Sequence, residues 1–368
     1  MTVNPVIPNY SGACINNIIP AILEHNVIGE GWIPDEILRA KQVVILLIDG
    51  LGYEQFTKCK KKGLVPNLEN FTQKMIQTVA PTTTATALTS LTTGKSPSEH
   101  GLVGYKIRVG TQLLNALRWT TGSGSAVEEI DPISFQPVEP FLGMASTVIS
   151  PSQFENSGFS EAHLRGGNYL GYWLPSSIPM LIRQSLNSGS DFVYAYYDGL
   201  DKVGHIHGIN EFYDSEVSSI DDLIGRILIS LPKGTALIVT ADHGMVDVGD
   251  SLVFLDPEIM ELTEELSGEA RFLWFHAERG ASNELIESLE DLYSDTAWIR
   301  TREQILDEGW FGKGISAITK SRIGEVAVVA REPVAFVPQG RKGPDLKARH
   351  GSLTAAESYV PLLTMLKS

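Results

Sequence analysis

APTTTATALTSLTTGKSPSEHGLVGY, residues 80–105, gathers Thr82, Thr83, Thr84 and Thr86 behind Pro81 and leaves through glycines. Ala85, Leu88 and Leu91 recur at a spacing of three, which predicts a helix over 84–93, and Gly94 suits its C′ stop. Met75–Val79 reads as the strand that feeds this segment. The threonines therefore stand between a strand end and a helix N-terminus. Backbone N–H groups and the positive end of the helix dipole favour a phosphate there. The plainer alternative is a threonine cap with solvent-facing neighbours.

Upstream, residues 1–40 read as a lead-in. Ala13–His25 has helical apolar spacing, and Pro34 opens a second helical pattern over 34–40. Val43–Ile48 is an unbroken run of β-branched residues and leucine, the mark of a central parallel strand covered on both faces. It ends in Asp49-Gly50-Leu51-Gly52, an acid followed by glycines, where open α/β sheets place ligand chemistry.

Downstream, residues 106–143 read as loop-rich, a lid or substrate-side insertion. Ala145–Ile149 reads as a strand and Ser177–Leu186 as a helix. GGNYLGYW (166–173) fits either a pocket lining or ordinary packing. Phe192–Tyr197 is a strand running into DGLDKVGHIHG (198–208), Phe212–Leu231 a long amphipathic helix, and Thr235–Thr240 a buried strand ending in Ala241-Asp242-His243-Gly244. From about residue 251 the texture changes to strand (ARFLWFHA), helix (SNELIESLEDLY), strand (AWIRT), helix (REQILDEG) and strand (325–330), the pattern of a small α+β cap. A basic loop (PQGRKGPDLKARH) then returns to His350-Gly351 and the terminal ESYVPLLTML. Long apolar strands alternating with helices imply an α/β fold, a largely parallel sheet flanked by helices on both faces.

Composition bounds the function. The 368 residues are 43% apolar and 20% charged, a globular balance. A formal charge of −15 disfavours a nucleic acid polymer as partner, because basic patches drive such binding. It does not exclude small phosphates, since bound metals reverse the local sign. Two cysteines, Cys14 and Cys59, make no disulfide framework and fit a reducing, cytoplasmic setting. The first residues lack a signal-peptide pattern, and no apolar run approaches membrane length, so no membrane partner is expected.

Four segments place an acid, a histidine or the threonine cluster beside glycine at a strand end, and His350-Gly351 adds a fifth. Zinc takes histidine nitrogen and carboxylate oxygen, and a catalytic zinc keeps an open position. Asp201 and His205 are four apart, so one helical turn puts both on one face. Asp242 and His243 are adjacent; both serve one metal only if they lie on the turn beyond the strand, which Gly244 permits. His207 reads as a neighbour of the site and His100 as a structural turn histidine. His25, His163 and His276 fall outside any cluster.

The ordered set ILLIDGLG, APTTTATALTSLTTGKSPSEHGLVGY, DGLDKVGHIHG, VTADHGM and ARHGSL resembles the alkaline phosphatase superfamily, and within it the type I phosphodiesterase / nucleotide pyrophosphatase family. The motifs run from residue 43 to 352 in the family's order and leave out about 251–340. The family shows a threonine nucleophile about ten residues before a Thr-Gly; counting back from Gly94 gives Thr84. The resemblance implies an alkaline-phosphatase-like core over 1–250 and 341–368, with 251–340 as the cap. It implies two zinc ions, or other divalent transition metals: Asp49, Thr84, Asp242 and His243 around one, Asp201, His205 and His350 around the other. Thr84 would attack phosphorus and form a covalent phosphothreonine.

One departure bears on substrate. The family follows its nucleophile with an aromatic residue, a proline and an asparagine that donates to a phosphate oxygen. Here those positions are Ala85, Thr86 and Ala87. No Cys-x-Pro-x-Arg segment is present, which speaks against a sulfatase. The leading expectation is hydrolysis of phosphodiester or pyrophosphate bonds in a small phosphate ester. The alternative is a phosphomonoesterase or phosphonate hydrolase on the same metal pair, with Arg341, Lys342, Lys347 and Arg349 as candidate extra charge. A non-catalytic phosphate binder is disfavoured because every metal-ligand position holds a suitable residue.

Overall fold

The chain, described here by a computed structural model over residues 4–24, 31–340 and 345–368, is built on a seven-stranded sheet. Its strands are β1 (Gln42–Ile48), β2 (Thr72–Gln77), β3 (Thr147–Pro151), β4 (Asn168–Tyr172), β5 (Phe192–Tyr197), β6 (Thr235–Thr240) and β7 (Tyr359–Leu366). Their spatial order is β2-β7-β6-β1-β5-β3-β4. β1 pairs in parallel with β5 and β6, β3 in parallel with β5 and β4, and only β7 runs against its neighbours. Every residue of β5 and β6, and all of β1 beyond Gln42, is buried. Both faces are therefore covered, as continuous apolar strands require.

This topology positions the chemistry. β1, β3, β5 and β6 point the same way, so the segments after Ile48, Pro151, Tyr197 and Thr240 meet at one sheet edge. The helix α1 (Thr84–Thr93) starts beside that edge and ends at Gly94 in the left-handed conformation. It packs against α2 (Gly158–Leu164). After β5 come α3 (Gly199–His207) and the long α4 (Glu211–Ser230).

A second sheet joins Thr263–Glu269, Phe272–Ala277, Val326–Ala330 and Ala297–Thr301, all antiparallel in that order. Leu273, Phe275, Val326 and Val328 belong to a smaller core of their own, while Phe272, Trp274, Ala327 and Val329 join the main core. Alternate residues thus face opposite ways, as the pleat dictates. The Arg271 guanidinium makes a buried fork with Glu357, both contacts at 2.8 Å, which ties this sheet to the segment entering β7.

Several local expectations need correction. The strand expected over 75–79 spans Thr72–Gln77, because Thr78 turns out of the sheet to donate its hydroxyl to the Asp242 carbonyl. The lead-in helix is a 3-10 turn, Ile15–Asn17, followed by Ile18–Leu23, and its end at His25 lies outside the described residues. The helix expected over 34–40 shortens to Asp35–Leu38. Residues 106–125, read as loop, fold into a four-stranded antiparallel sheet whose strands are too short for the sequence pattern to reveal. Among the described residues, no helix is long and apolar enough to cross a membrane.

Candidate metal centre

Asp49 follows β1 and is buried. The next residue must bend sharply: Gly50 has φ +78°, and a Cβ there would stand 3.2 Å from the Asp201 Cα. Tyr213 of α4 holds the turn by donating to the Gly50 carbonyl at 2.9 Å. Asp242 and His243 sit on the turn after β6, and Asp242 Oδ1 accepts from the Gly50 and His243 amides at 3.1 and 3.0 Å. Asp201 and His205 share one face of α3, with His205 Nε2 3.3 Å from Asp201 Oδ2. His350 arrives from the far end of the chain. Its loop is laced to the threonine segment: Thr82 Oγ1 donates to the Ser352 carbonyl at 2.8 Å and accepts from the Gly351 amide at 3.0 Å.

The three histidines are oriented alike. His205 Nδ1 lies 2.7 Å from the Ala348 carbonyl, His350 Nδ1 2.9 Å from the Thr82 carbonyl, and His243 Nδ1 3.2 Å from the Gly244 carbonyl. A carbonyl only accepts, so each Nδ1 carries the proton and each Nε2 presents a lone pair. His243 Nε2 stands 3.2 Å from Thr84 Oγ1, 3.4 Å from Asp49 Oδ1 and 3.3 Å from Asp242 Oδ2. His350 Nε2 stands 3.8 Å from Asp201 Oδ1, and its ring stacks on His243 with centroids 3.7 Å apart.

Asp49 Oδ1, Asp242 Oδ2 and Asp201 Oδ1 are buried without a hydrogen-bond donor. Burial, then repulsion from Asp242 and Asp201, raises the Asp49 carboxyl well above its ordinary range. Burial also raises Asp201, against the pull of His205 and His243. Burial and the neighbouring histidines push His350 well down. Crowded acids with orphaned oxygens, faced by imidazole lone pairs, form a donor set that a divalent cation satisfies. Two groups have ligand atoms within 4.8 Å of one another: Asp49, Asp242 and His243, and Asp201, His243 and His350. All seven residues singled out in the sequence thus meet at one edge, with His205 entering through Asp201.

Thr84 is the first residue of α1 and only 6% exposed. The first N–H groups of a helix have no partner within it, so they face this site with the dipole's positive end. Other groups were not legible. Tyr196 of β5 donates its hydroxyl to Asp49 Oδ2. Glu269, from the second sheet, brings Oε2 to 3.6 Å from His350 Nδ1, and burial raises its carboxyl to about 8. The one available signal was the alternation in FVYAYY, which puts Tyr194 and Tyr196 on the same strand face.

Beside Thr84 lies a cavity of about 240 Å³. Asp49, Thr84 and Asp201 line it, and Arg118 and Lys202 stand exposed at its rim. His163, which stood outside any cluster in the sequence, lines it too. His207 instead stacks on Phe212 at 4.2 Å, His100 bonds Ser90 at 2.7 Å in the core, and His276 bonds Ser267 at 2.9 Å. Trp173 is 87% exposed and does not line the cavity. Arg341 and Lys342 lie outside the described residues, and Lys347 pairs with Asp250 and Asp345.

Residues 43–353 match the family described as Type I phosphodiesterase / nucleotide pyrophosphatase. The chain belongs to this family. The family is one of metal-dependent hydrolases within the alkaline phosphatase superfamily, and the chain is accordingly a hydrolytic enzyme of phosphodiesterase or nucleotide pyrophosphatase type. Among solved structures, murine ectonucleotide pyrophosphatase / phosphodiesterase 5, inactive and in complex with AMP, is 18% identical, with 88% of this chain and 87% of that one covered and a TM-score of 0.67. Phosphonoacetate hydrolase from Sinorhizobium meliloti 1021, in complex with phosphonoformate, is 14% identical over 88% and 90%, with a TM-score of 0.68. These likenesses show the shared alkaline-phosphatase-like α/β fold. No curated protein matches the chain.

Proposed function

We propose that this family member is a two-zinc phosphohydrolase that cleaves phosphodiester or pyrophosphate bonds through a phosphothreonine on Thr84. The observation that carries this reading is the convergence of three imidazole Nε2 atoms and three orphaned carboxylate oxygens around the start of α1. Asp49, Asp242, His243 and Thr84 would hold one ion, and Asp201, His205 and His350 the other. When bound, such ions lower the pKa of a ligating hydroxyl and neutralise charge on a phosphate.

The protein's own groups do the rest. Carbonyls fix the histidine tautomers, and Tyr196 fixes Asp49. The N-terminal amides of α1 would face the non-bridging phosphate oxygens, taking the place of the asparagine that is absent at Ala87. Thr84 Oγ1 gives its proton to water and forms a bond to phosphorus as the bond to the leaving oxygen breaks. That oxygen leaves with the electron pair and takes a proton from water. A second water then attacks phosphorus, the bond between phosphorus and Thr84 Oγ1 breaks, and Oγ1 regains a proton from solvent as the phosphate product leaves.

The substrate is a small phosphate ester, and residues 251–340 form the cap that supplies Glu269 beside His350. Two free, buried cysteines support a reducing cytoplasmic setting. Elemental analysis of the purified protein should find two zinc equivalents per chain, and Thr84→Ala should lower turnover of bis(4-nitrophenyl) phosphate by about a thousandfold or more. A metal-free protein, or full activity in Thr84→Ala, would sink the reading.

A further inference from the structure

The cavity beside Thr84 is a slot with a chemistry of its own. Leu88 lies one turn after Thr84 on α1, and Phe159, His163 and Leu164 face it from α2. Tyr194 lines it as well. On β5 it sits two residues before Tyr196, the residue that touches Asp49, hence about 6–7 Å further into the protein. Its register partner on β1 is Ile45, well behind Asp49.

Two polar atoms in this apolar slot have no partner. The Tyr194 hydroxyl is buried without a hydrogen bond, in a residue 1% exposed. The His163 ring stacks on Phe159 at 3.9 Å, and its Nδ1 lies 2.6 Å from the Phe159 carbonyl, so Nδ1 carries the proton. Nε2 then bears a lone pair and has no hydrogen-bond partner among the described residues. Burial holds the ring neutral, with its pKa lowered to about 4. A hydroxyl that donates and an imidazole nitrogen that accepts are complementary to a ligand group that does both, such as an alcohol. Size sets the second limit. A cavity of about 150 Å³ takes one benzene, and this one is about 240 Å³. That is room for one ring with a short substituent, and too little for a base joined to a sugar.

Resting on the hydrolase reading, we propose that the slot takes one ester group of the substrate, a single neutral ring tipped with a hydroxyl that meets Tyr194 and His163, and that it discriminates against nucleosides. The zinc-loaded enzyme should be assayed on diesters that share a 4-nitrophenolate leaving group and differ in the other arm: methyl, phenyl, 3-(hydroxymethyl)phenyl or thymidine 5′. The hydroxymethyl arm should exceed phenyl in kcat/KM by about tenfold, the worth of one hydrogen-bonded contact. Phenyl should exceed thymidine by at least as much. Tyr194→Phe, which removes a hydroxyl with no partner to lose, should bring the hydroxymethyl-to-phenyl ratio near one. Leu88→Trp, with folding checked by circular dichroism, should collapse the preference of aryl over methyl.

A thymidine ester preferred over phenyl, or an unchanged ratio in Tyr194→Phe, would overturn the slot while leaving the Thr84 chemistry standing. Binding of 3-(hydroxymethyl)phenol to the Thr84→Ala protein, followed by saturation-transfer NMR, needs no turnover and should vanish in Thr84→Ala combined with Leu88→Trp. Phenol binding without hydrolysis of any ester by the wild type would overturn the hydrolase reading and, with it, the slot as a substrate site.

Discussion

Tyr196 donates its phenolic hydrogen to Asp49 Oδ2, while Asp49 Oδ1 is left buried and unpartnered. One carboxylate oxygen is thus anchored and the other kept for a ligand. Partners that orient a metal-binding side chain contribute about 10–100-fold to metal affinity. Tyr196→Phe should weaken zinc binding by about that factor with little change in fold. Competition against a zinc chelator measures it, and an affinity equal to that of the wild type would show that Asp49 needs no such anchor.

Gly244 lets His243 sit where it does because the chain passes close to its neighbours, not because of a special φ. A Cβ there would lie 2.0 Å from the Ala356 carbonyl oxygen and 2.9 Å from the Gly52 Cα. Backbone has to move to admit it. Gly244→Ala should destabilise the protein by about 1–3 kcal/mol, as overpacking does, and should also weaken metal binding. Urea unfolding and the same chelator competition test both; a neutral stability change would mean the turn has slack that the structure does not show.

Central strands were legible because each is buried on both faces: the runs at 43–48, 192–197 and 235–240 need no periodicity to be seen. The α1 bounds of 84–93 followed from the Ala85-Leu88-Leu91 spacing and Gly94. The terminal strand β7 carried no such signal. Pro361 interrupts it, yet its backbone is paired on both sides, with β6 and β2. The residues that gather beside α1 were readable because Asp49, Asp242, His243 and His350 stand just ahead of a glycine after a strand, Asp201 and His205 share a four-residue helical spacing, and Thr84 lies ten residues before Gly94. Tyr196, Tyr194, His163 and Glu269 were not, because what matters about them is a contact across the fold. Glu269 meets His350 from another sheet, and no local pattern encodes that meeting.

His163 and His100 are both held neutral by burial, at about 4 and about 3, with Arg322 adding to the effect on His100. In the unfolded chain each takes a proton near 6.5. Between about pH 6.5 and 4 the unfolded state therefore holds more protons on these two histidines, and their contribution to stability falls as pH falls. Each histidine contributes a slope of at most about 1.4 kcal/mol per pH unit. His163→Gln should remove about one proton's worth of that slope. Urea midpoints for both proteins at pH 7.5, 6 and 5 give the comparison, and parallel pH profiles would show that His163 titrates alike in both states.

Arg271 and Glu357 are both fully buried, and their fork is the charged link between the two sheets. Arg271 Nη1 donates to the Glu332 and Val334 carbonyls at 3.0 and 2.7 Å. Glu357 also accepts from the Ser352 amide at 3.0 Å, two residues beyond His350. Removing one partner of such a pair strands a buried charge and costs about 3–5 kcal/mol. Arg271→Met should therefore destabilise the protein by about that much. Arg271→Lys should recover less than half, since an ammonium is a point charge that cannot reproduce the two-pronged contact. Guanidinium unfolding of the three proteins decides it. Full rescue by lysine would mean that charge alone, without the fork geometry, holds the second sheet against the loop that carries His350.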